Sequence, residues 1–173
     1  MGLNFQSINV NAQMIVGKIR GIPPYSSKVL QKVEIKFLQH APLPNQPENY
    51  IVSDTVWQQK FKIEKHQILN YLDEPEALWG DENRIDYSLI QNKIVSIKQS
   101  LFLVKVDNLN LYIEENKRKA SFLYKNRSYD LPVTDANFDN LLEENSQNLE
   151  GILCVSLGEN FHGHCYKIVA TIF

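Results

Sequence analysis

Residues 151–173 read GILCVSLGENFHGHCYKIVATIF. Leu153, Val155 and Leu157 alternate with Ile152, Cys154 and Ser156, the period of a strand rich in apolar and β-branched residues. In the second run Tyr166, Ile168, Ala170 and Ile172 share one face. Cys165, Lys167, Val169, Thr171 and Phe173 share the other. The first face is wholly apolar and is expected to point into a core. The second is mixed and is expected to be half solvated. Gly158 and Gly163 between the runs allow the positive φ angles that hairpin connections use. A strand ending on Ile172-Phe173 is expected to be tied into a sheet.

The preceding residues supply more strands. SLFLVKV (100–106) reads as one, Asp107-Asn108 as a turn, and LNLYIEE (109–115) as the return strand. KRKASFLYK (117–125) is another strand, with Phe122 on its apolar face. Asn126-Arg127 turns into SYDLPVT (128–134), an edge extension. Asp135 then caps a helix in which Phe138, Leu141 and Leu142 share a stripe. Strand, strand, strand, helix, strand, strand is the order of an OB-fold, a five-stranded barrel; other small β barrels share it.

The first half is less regular. MIVGKIR (14–20) reads as a short strand and residues 22–27 as a loop. VLQKVEIKFL (29–38) alternates apolar and charged residues over its whole length, the pattern of one half-buried strand. APLPNQPENY (41–50) holds three prolines and is neither helix nor central strand, so it is expected to be a surface connection. From 54 to 79 the period lengthens. Asp54 or Thr55 caps a predicted helix through Trp57 and Phe61, Ile63–Leu72 has helical spacing, and a third short helix starts near Glu74-Pro75. The expected architecture is mainly β with short helices (β/α+β), as two OB-like β-barrel units packed together. Residues 1–96 form the first, with the proline loop and the helical insert, and residues 97–173 form the second.

The chain of 173 residues, net charge −2 and 43% apolar content has the composition of an ordinary globular protein. No apolar run approaches the ~18 residues of a membrane span, and the N-terminal residues lack a signal-peptide pattern. A cytoplasmic location without membrane contact is the expectation. Cys154 and Cys165 lie on the two closing strands. They read as buried small hydrophobes in a reducing compartment, or as neighbours across the hairpin.

Five stretches together resemble one family. They are VEIKFLQHAPLPNQPENYIV (33–52), LDEPEALWG (72–80), SLFLVKV (100–106), KRKASFLYKNRSYDLPVTD (117–135) and CVSLGENFHGHCYKIVATIF (154–173). Their most specific pieces are Gln46-Pro47-Glu48-Asn49, Thr134-Asp135, Val155–Glu159 and Cys165-Tyr166-Lys167. Over about residues 29–173 the chain resembles the dual OB-containing domain found in prokaryotic proteins. The resemblance implies two OB-like units and a binding role, with nucleic acid the usual ligand of OB folds and no enzymatic activity to carry over. The family opens with a longer strand pair and an Ile-Arg-Pro step, whereas here Ile19-Arg20 is followed by Gly21. The first barrel is therefore either abbreviated or completed by a partner.

Among chemical candidates a basic strand leads. Residues 98–127 hold seven basic side chains, Lys98, Lys105, Lys117, Arg118, Lys119, Lys125 and Arg127, against Asp107, Glu114 and Glu115. Cations for phosphates and rings for bases are what single-strand binding requires, and Tyr112, Tyr124 and Tyr129 are the nearby rings. The competing reading is a solvated edge strand whose lysines block aggregation. Residues 130–150 carry six acidic side chains and no Lys or Arg, and are expected to repel nucleic acid from the helix side. His162, His164, Cys165 and Cys154 match no standard zinc spacing. Trp57 and Trp79 read as core anchors rather than base platforms, and polar residues of the proline loop as partners for its own backbone. No hydrolase elbow, phosphate loop, zincin helix or dinucleotide turn is present. The expectation is a non-enzymatic binding module without cofactor. It engages single-stranded DNA or RNA through Lys98, Lys105, Lys117, Lys119, Lys125, Arg127, Tyr112 and Tyr124, or else a protein partner as an accessory subunit.

Overall fold

The computed structural model describes residues 30–55, 58–144 and 149–173. The expected strand at 14–20, the loop at 22–27 and Trp57 lie outside the described residues. The chain forms two compact units. One comprises residues up to Ala41 together with Tyr50–Asn70, and the other Pro42–Asn49 together with Tyr71–Phe173. The division therefore falls at residues 70 and 71, with the proline loop in the second unit, whereas the sequence pattern suggests 96 and 97.

In the first unit, β1 (Gln31–Glu34) pairs antiparallel with β4 (Gln58–Lys62), and β2 (Phe37–His40) with β3 (Tyr50–Val52). The single strand expected over 29–38 is thus two strands with different partners, broken at Ile35-Lys36. The alternation of half-buried Gln31, Val33 and Ile35 with exposed Lys32, Glu34 and Lys36 is as expected and stops there. The helix expected from Asp54 through Phe61 is instead β4. Ser53 accepts from the Thr55 backbone N–H, so the polar cluster closes a local turn rather than capping a helix. A 3-10 helix, Lys65–Tyr71, replaces the expected helix over 63–72 and buries only Ile68.

The second unit is built on β5 (Arg84–Asp86), β6 (Leu101–Glu114), β7 (Lys117–Tyr124), β8 (Arg127–Pro132), β9 (Leu149–Phe161) and β10 (His164–Ile172). The sheet order is β5-β10-β9-β6-β7-β8. A parallel bridge from Val133 to Val169 and the Thr134 N–H donated to the Val169 carbonyl at 2.9 Å bring the end of β8 back to β10. The curled sheet is an OB-like barrel, with β5 added outside β10. Helix α1 (Tyr87–Gln91) follows β5, and α2 (Phe138–Glu144) lies between β8 and β9. No helix stands at Glu74-Pro75.

The expected order of strands is present, but the first three are assigned differently. Asp107-Asn108 is not a turn. It is an irregularity inside β6, with Asn108 at φ 53°. On one side Leu101–Val106 pair with β9, and on the other Asn110–Glu114 pair with β7. One bent strand can therefore join two neighbours. The run treated as an edge extension is β8, the third strand.

Glu115-Asn116, Lys125-Asn126 and His162-Gly163 are two-residue turns with both φ angles positive, the primed geometry that suits strand twist. Gly158 is not part of the hairpin loop. It sits within β9, at a register shift opposite Tyr166. Asp135 stands ahead of α2 rather than at its cap: one carboxylate oxygen accepts from Asn137 N in a local turn, and the other accepts from Ile172 N at 2.8 Å.

The core gathers Val104, Phe122, Tyr129, Leu131, Phe138 and Val155, and a second cluster holds Ile85, Ile90, Ile97, Leu157 and Cys165. On β10 the faces are reversed from expectation. Cys165, Lys167, Val169 and Thr171 are buried, while Tyr166, Ile168, Ala170 and Ile172 are intermediate. Counting apolar residues failed because Lys167 finds a buried partner, the Gly80 carbonyl at 2.6 Å.

Candidate nucleic-acid interface

Four of the seven basic side chains of residues 98–127 hold carboxylates. Lys105 pairs with Glu150 at 2.6 Å. Lys119 pairs with Glu114 at 2.7 Å and Asp130 at 3.2 Å, and both carboxylates push its pKa up. Arg118 pairs with Asp139 at 2.5 Å, and Arg127 pairs with Asp81. The acidic stretch 130–150, expected to form a separate repelling face, thus supplies Asp130, Asp139 and Glu150 as partners for these cations. Lys98 lines a cleft beside Asp73, Glu74 and Glu76. Lys117 is exposed, and Lys125 donates to the Glu74 carbonyl at 3.1 Å.

The tyrosines are engaged as well. Tyr124 is only 5% exposed and donates to the Pro75 carbonyl at 2.7 Å, so its ring belongs to the core and offers no face to a base. Tyr129 is buried, with Phe122 stacked on it at 5.6 Å. Half-buried Tyr112 donates to Asp130 at 2.7 Å. Burial first, and then that bond, push its phenol up to about 12.

Exposed Phe161 and His162 and half-buried His164 and Tyr166 converge on the tip of the β9–β10 hairpin. His164 stands opposite both Phe161 and Asp86, and Tyr166 opposite Arg84. Cys165 and Ile85 point inward and are buried, so Arg84, His164 and Tyr166 share the outer face by strand alternation. Phe161, 63% exposed, meets His162 edge-on at 4.2 Å and lies 6.5 Å from Tyr166. His164 lies 6.2 Å from Tyr166. The Arg84 guanidinium sits 5.9 Å over the Tyr166 ring and reaches its hydroxyl at 3.4 Å. Asp86 caps α1, and its hydrogen bonds from Ser88 hold its carboxyl below the usual range. Sequence reasoning missed this cluster because Tyr166 reads as an inward residue. The signal was present as ring residues at 162, 164 and 166 running on from Phe161.

Other candidates have structural roles. Cys154 pairs with Thr171 and Cys165 with Asn160 in the β9–β10 register. The cysteines therefore stand six residues apart along β10, roughly 20 Å, and are neither disulfide partners nor a ligand pair. Burial pushes their thiols up to about 12 and 11. Among the described residues no group of His, Cys, Asp and Glu is arranged for a metal. In the proline loop Asn45 donates to the Gly158 carbonyl at 3.2 Å, and Glu48 accepts from both the N–H and the hydroxyl of Ser100. The loop's polar residues thus pin it to the barrel rather than satisfying only its own backbone. Trp79 packs in a tilted pair with Phe102 at 4.6 Å and donates to the Gln99 carbonyl, the anchor expected of it. No helix among the described residues is long and apolar enough to cross a membrane.

No curated protein and no solved structure matches the chain. A family model, the dual OB-containing domain, matches residues 22–172. That span takes in the first unit's described ribbons and the whole barrel with its added strand, and OB folds are built to bind. The chain belongs to the dual OB-containing domain family.

Proposed function

We propose that the chain is a non-enzymatic module that binds single-stranded nucleic acid, with bases stacking on the tip of the β9–β10 hairpin. The observation that carries this reading is the group of exposed Phe161 and Arg84 with half-buried Tyr166, flanked by His162 and His164. OB barrels take oligonucleotides on the face of their second and third strands and at the loops joining strands one to two and four to five. The tip is the loop between the fourth and fifth barrel strands. Rings supply base stacking without sequence preference, and Arg84 supplies both a cation and a stacking plane. Lys117, beside the loop joining the first two barrel strands, adds a phosphate contact.

Fluorescence anisotropy of a labelled oligothymidylate tests this at low salt. Replacing Phe161 or Tyr166 by Ala is expected to weaken binding about ten-fold each, from a stacking contribution of about 1–3 kcal/mol per base. Arg84→Ala is expected to reduce the salt slope by about 0.7. Wild-type affinity in all three variants would defeat the assignment of the tip. A protein partner is the second reading, motivated by exposed Leu38, Ile51 and Leu69 in the first unit. A chain that elutes as a monomer and captures nothing in a pull-down counts against it.

A further inference from the structure

The β2–β3 ribbon carries three rings in a row. Tyr50 lies between Phe37 and His40, with centroids 4.8 Å from each. Phe37 and His40 are three residues apart and would face opposite ways on a regular strand. A register shift between Phe37 and Gln39 inserts the extra residue that brings both rings beside Tyr50. Phe37 is 39% and Tyr50 42% exposed, so the row presents ring surface to solvent rather than closing a core.

Charge in this unit differs from that around the barrel. Exposed Lys36 immediately precedes Phe37, and its carbonyl accepts from Ser53 N at 2.9 Å, which fixes the backbone at the head of the row. Lys32 stands 5.2 Å over the exposed Phe61 ring. Glu34 is occupied by Lys60 at 2.7 Å. Among the described residues Lys32, Lys36, Lys62 and Lys65 make no ion pair, whereas Lys105, Arg118, Lys119 and Arg127 of the barrel each hold a carboxylate. Rings beside unneutralised lysines suit a polyanion with flat bases better than an apolar protein surface.

We infer that the β2–β3 ribbon is a second, separate surface for single-stranded nucleic acid, with bases on Phe37 and Tyr50 and a phosphate on Lys36. The inference takes its ligand class from the reading above but rests on different residues.

Anisotropy of the full chain with a fluorescein-labelled oligothymidylate of about fifteen nucleotides separates the two. In a Phe161→Ala, Tyr166→Ala background, which removes stacking at the hairpin tip, adding Phe37→Ala with Tyr50→Ala is expected to lower the remaining affinity about ten-fold per ring, with an unchanged circular dichroism spectrum. Lys36→Glu, at an exposed position, is expected to weaken what binding remains in that background and reduce its salt slope by about 0.7. Phe161→Ala with Tyr166→Ala should leave residual binding that the ribbon substitutions then remove. Affinity unchanged when the ribbon double substitution, and separately Lys36→Glu, is added to the hairpin-tip double variant would overturn the inference while leaving the hairpin tip intact. A wild-type chain that retains no oligonucleotide at low salt would overturn both.

Discussion

Lys167 occupies a position in the barrel where a charge is costly. It is 0% exposed, donates to the Gly80 carbonyl, and lies 5.3 Å over the Tyr129 ring. Tyr129 also donates to Gly80, and Leu78 N donates to Tyr129, so one small network anchors the 78–80 segment. Burial lowers the Lys167 pKa from 10.5 to about 8. Between those values the unfolded chain binds the proton that the folded chain has released, so stability rises with pH from about 8 upward. Cys154 and Cys165, with thiols pushed up, act in the opposite sense above about 9. Urea midpoints are therefore expected to climb between pH 7 and 9 in the wild type and to stay level in Lys167→Met; parallel profiles would refute the assignment. Phe122 is 2% exposed and stacked on Tyr129, so Phe122→Ala is expected to cost roughly 3–5 kcal/mol. An unchanged denaturation midpoint would mean its face is not the core. The inward direction of Phe122 was legible because Arg118, Ala120, Phe122 and Tyr124 share one face of a clean alternation. That of Lys167 was not, because its partner is a backbone carbonyl 87 residues away.

At the scale of elements, the turn chemistry carries the barrel. His162 and Gly163 both have positive φ, 50° and 84°. A Cβ at Gly163 would meet nothing within 4 Å, so Gly163→Ala is expected to cost only the conformational penalty of about 1 kcal/mol, read as a small shift in thermal midpoint. A loss several times larger would point to a packing role for the turn. Deleting the last five residues removes Val169, which pairs with Val155 and bridges to Val133. Cooperative unfolding of the barrel should then vanish from the melting curve, and a retained sharp transition would show that closure at β10 is dispensable. Strands with clean alternation and small turns between them were legible. Residues 107–108 were misread because Asp-Asn satisfies a bulge as readily as a turn. Residues 58–62 were misread because an apolar ring among polar residues fits either period until its partner strand, β1, is known.

Across the whole molecule the balance of charge sets what the proposed binding can draw on. The local basic excess of residues 98–127 is largely spent on carboxylates from Asp81, Asp130, Asp139 and Glu150. With two or three phosphates contacted, log K for a single strand should fall against log salt with a slope of about −1.4 to −2.1. A slope of −4 or steeper in a filter-binding series would mean that the paired cations open on binding. Alternation and turn residues determined a mainly β chain and an OB order of strands around one helix, because these depend on neighbours a few residues apart, while five stretches of sequence carried the resemblance to the family. Tertiary structure alone decided which face of β10 is buried, that β6 is one bent strand, and that the proline loop joins the barrel. It also decided that Lys105, Arg118, Lys119 and Arg127 each hold a carboxylate while rings gather at the hairpin tip. Each of these depends on groups tens of residues apart in the chain, and the partner that satisfies a charge or covers a face is set by the register of strands rather than by any local pattern.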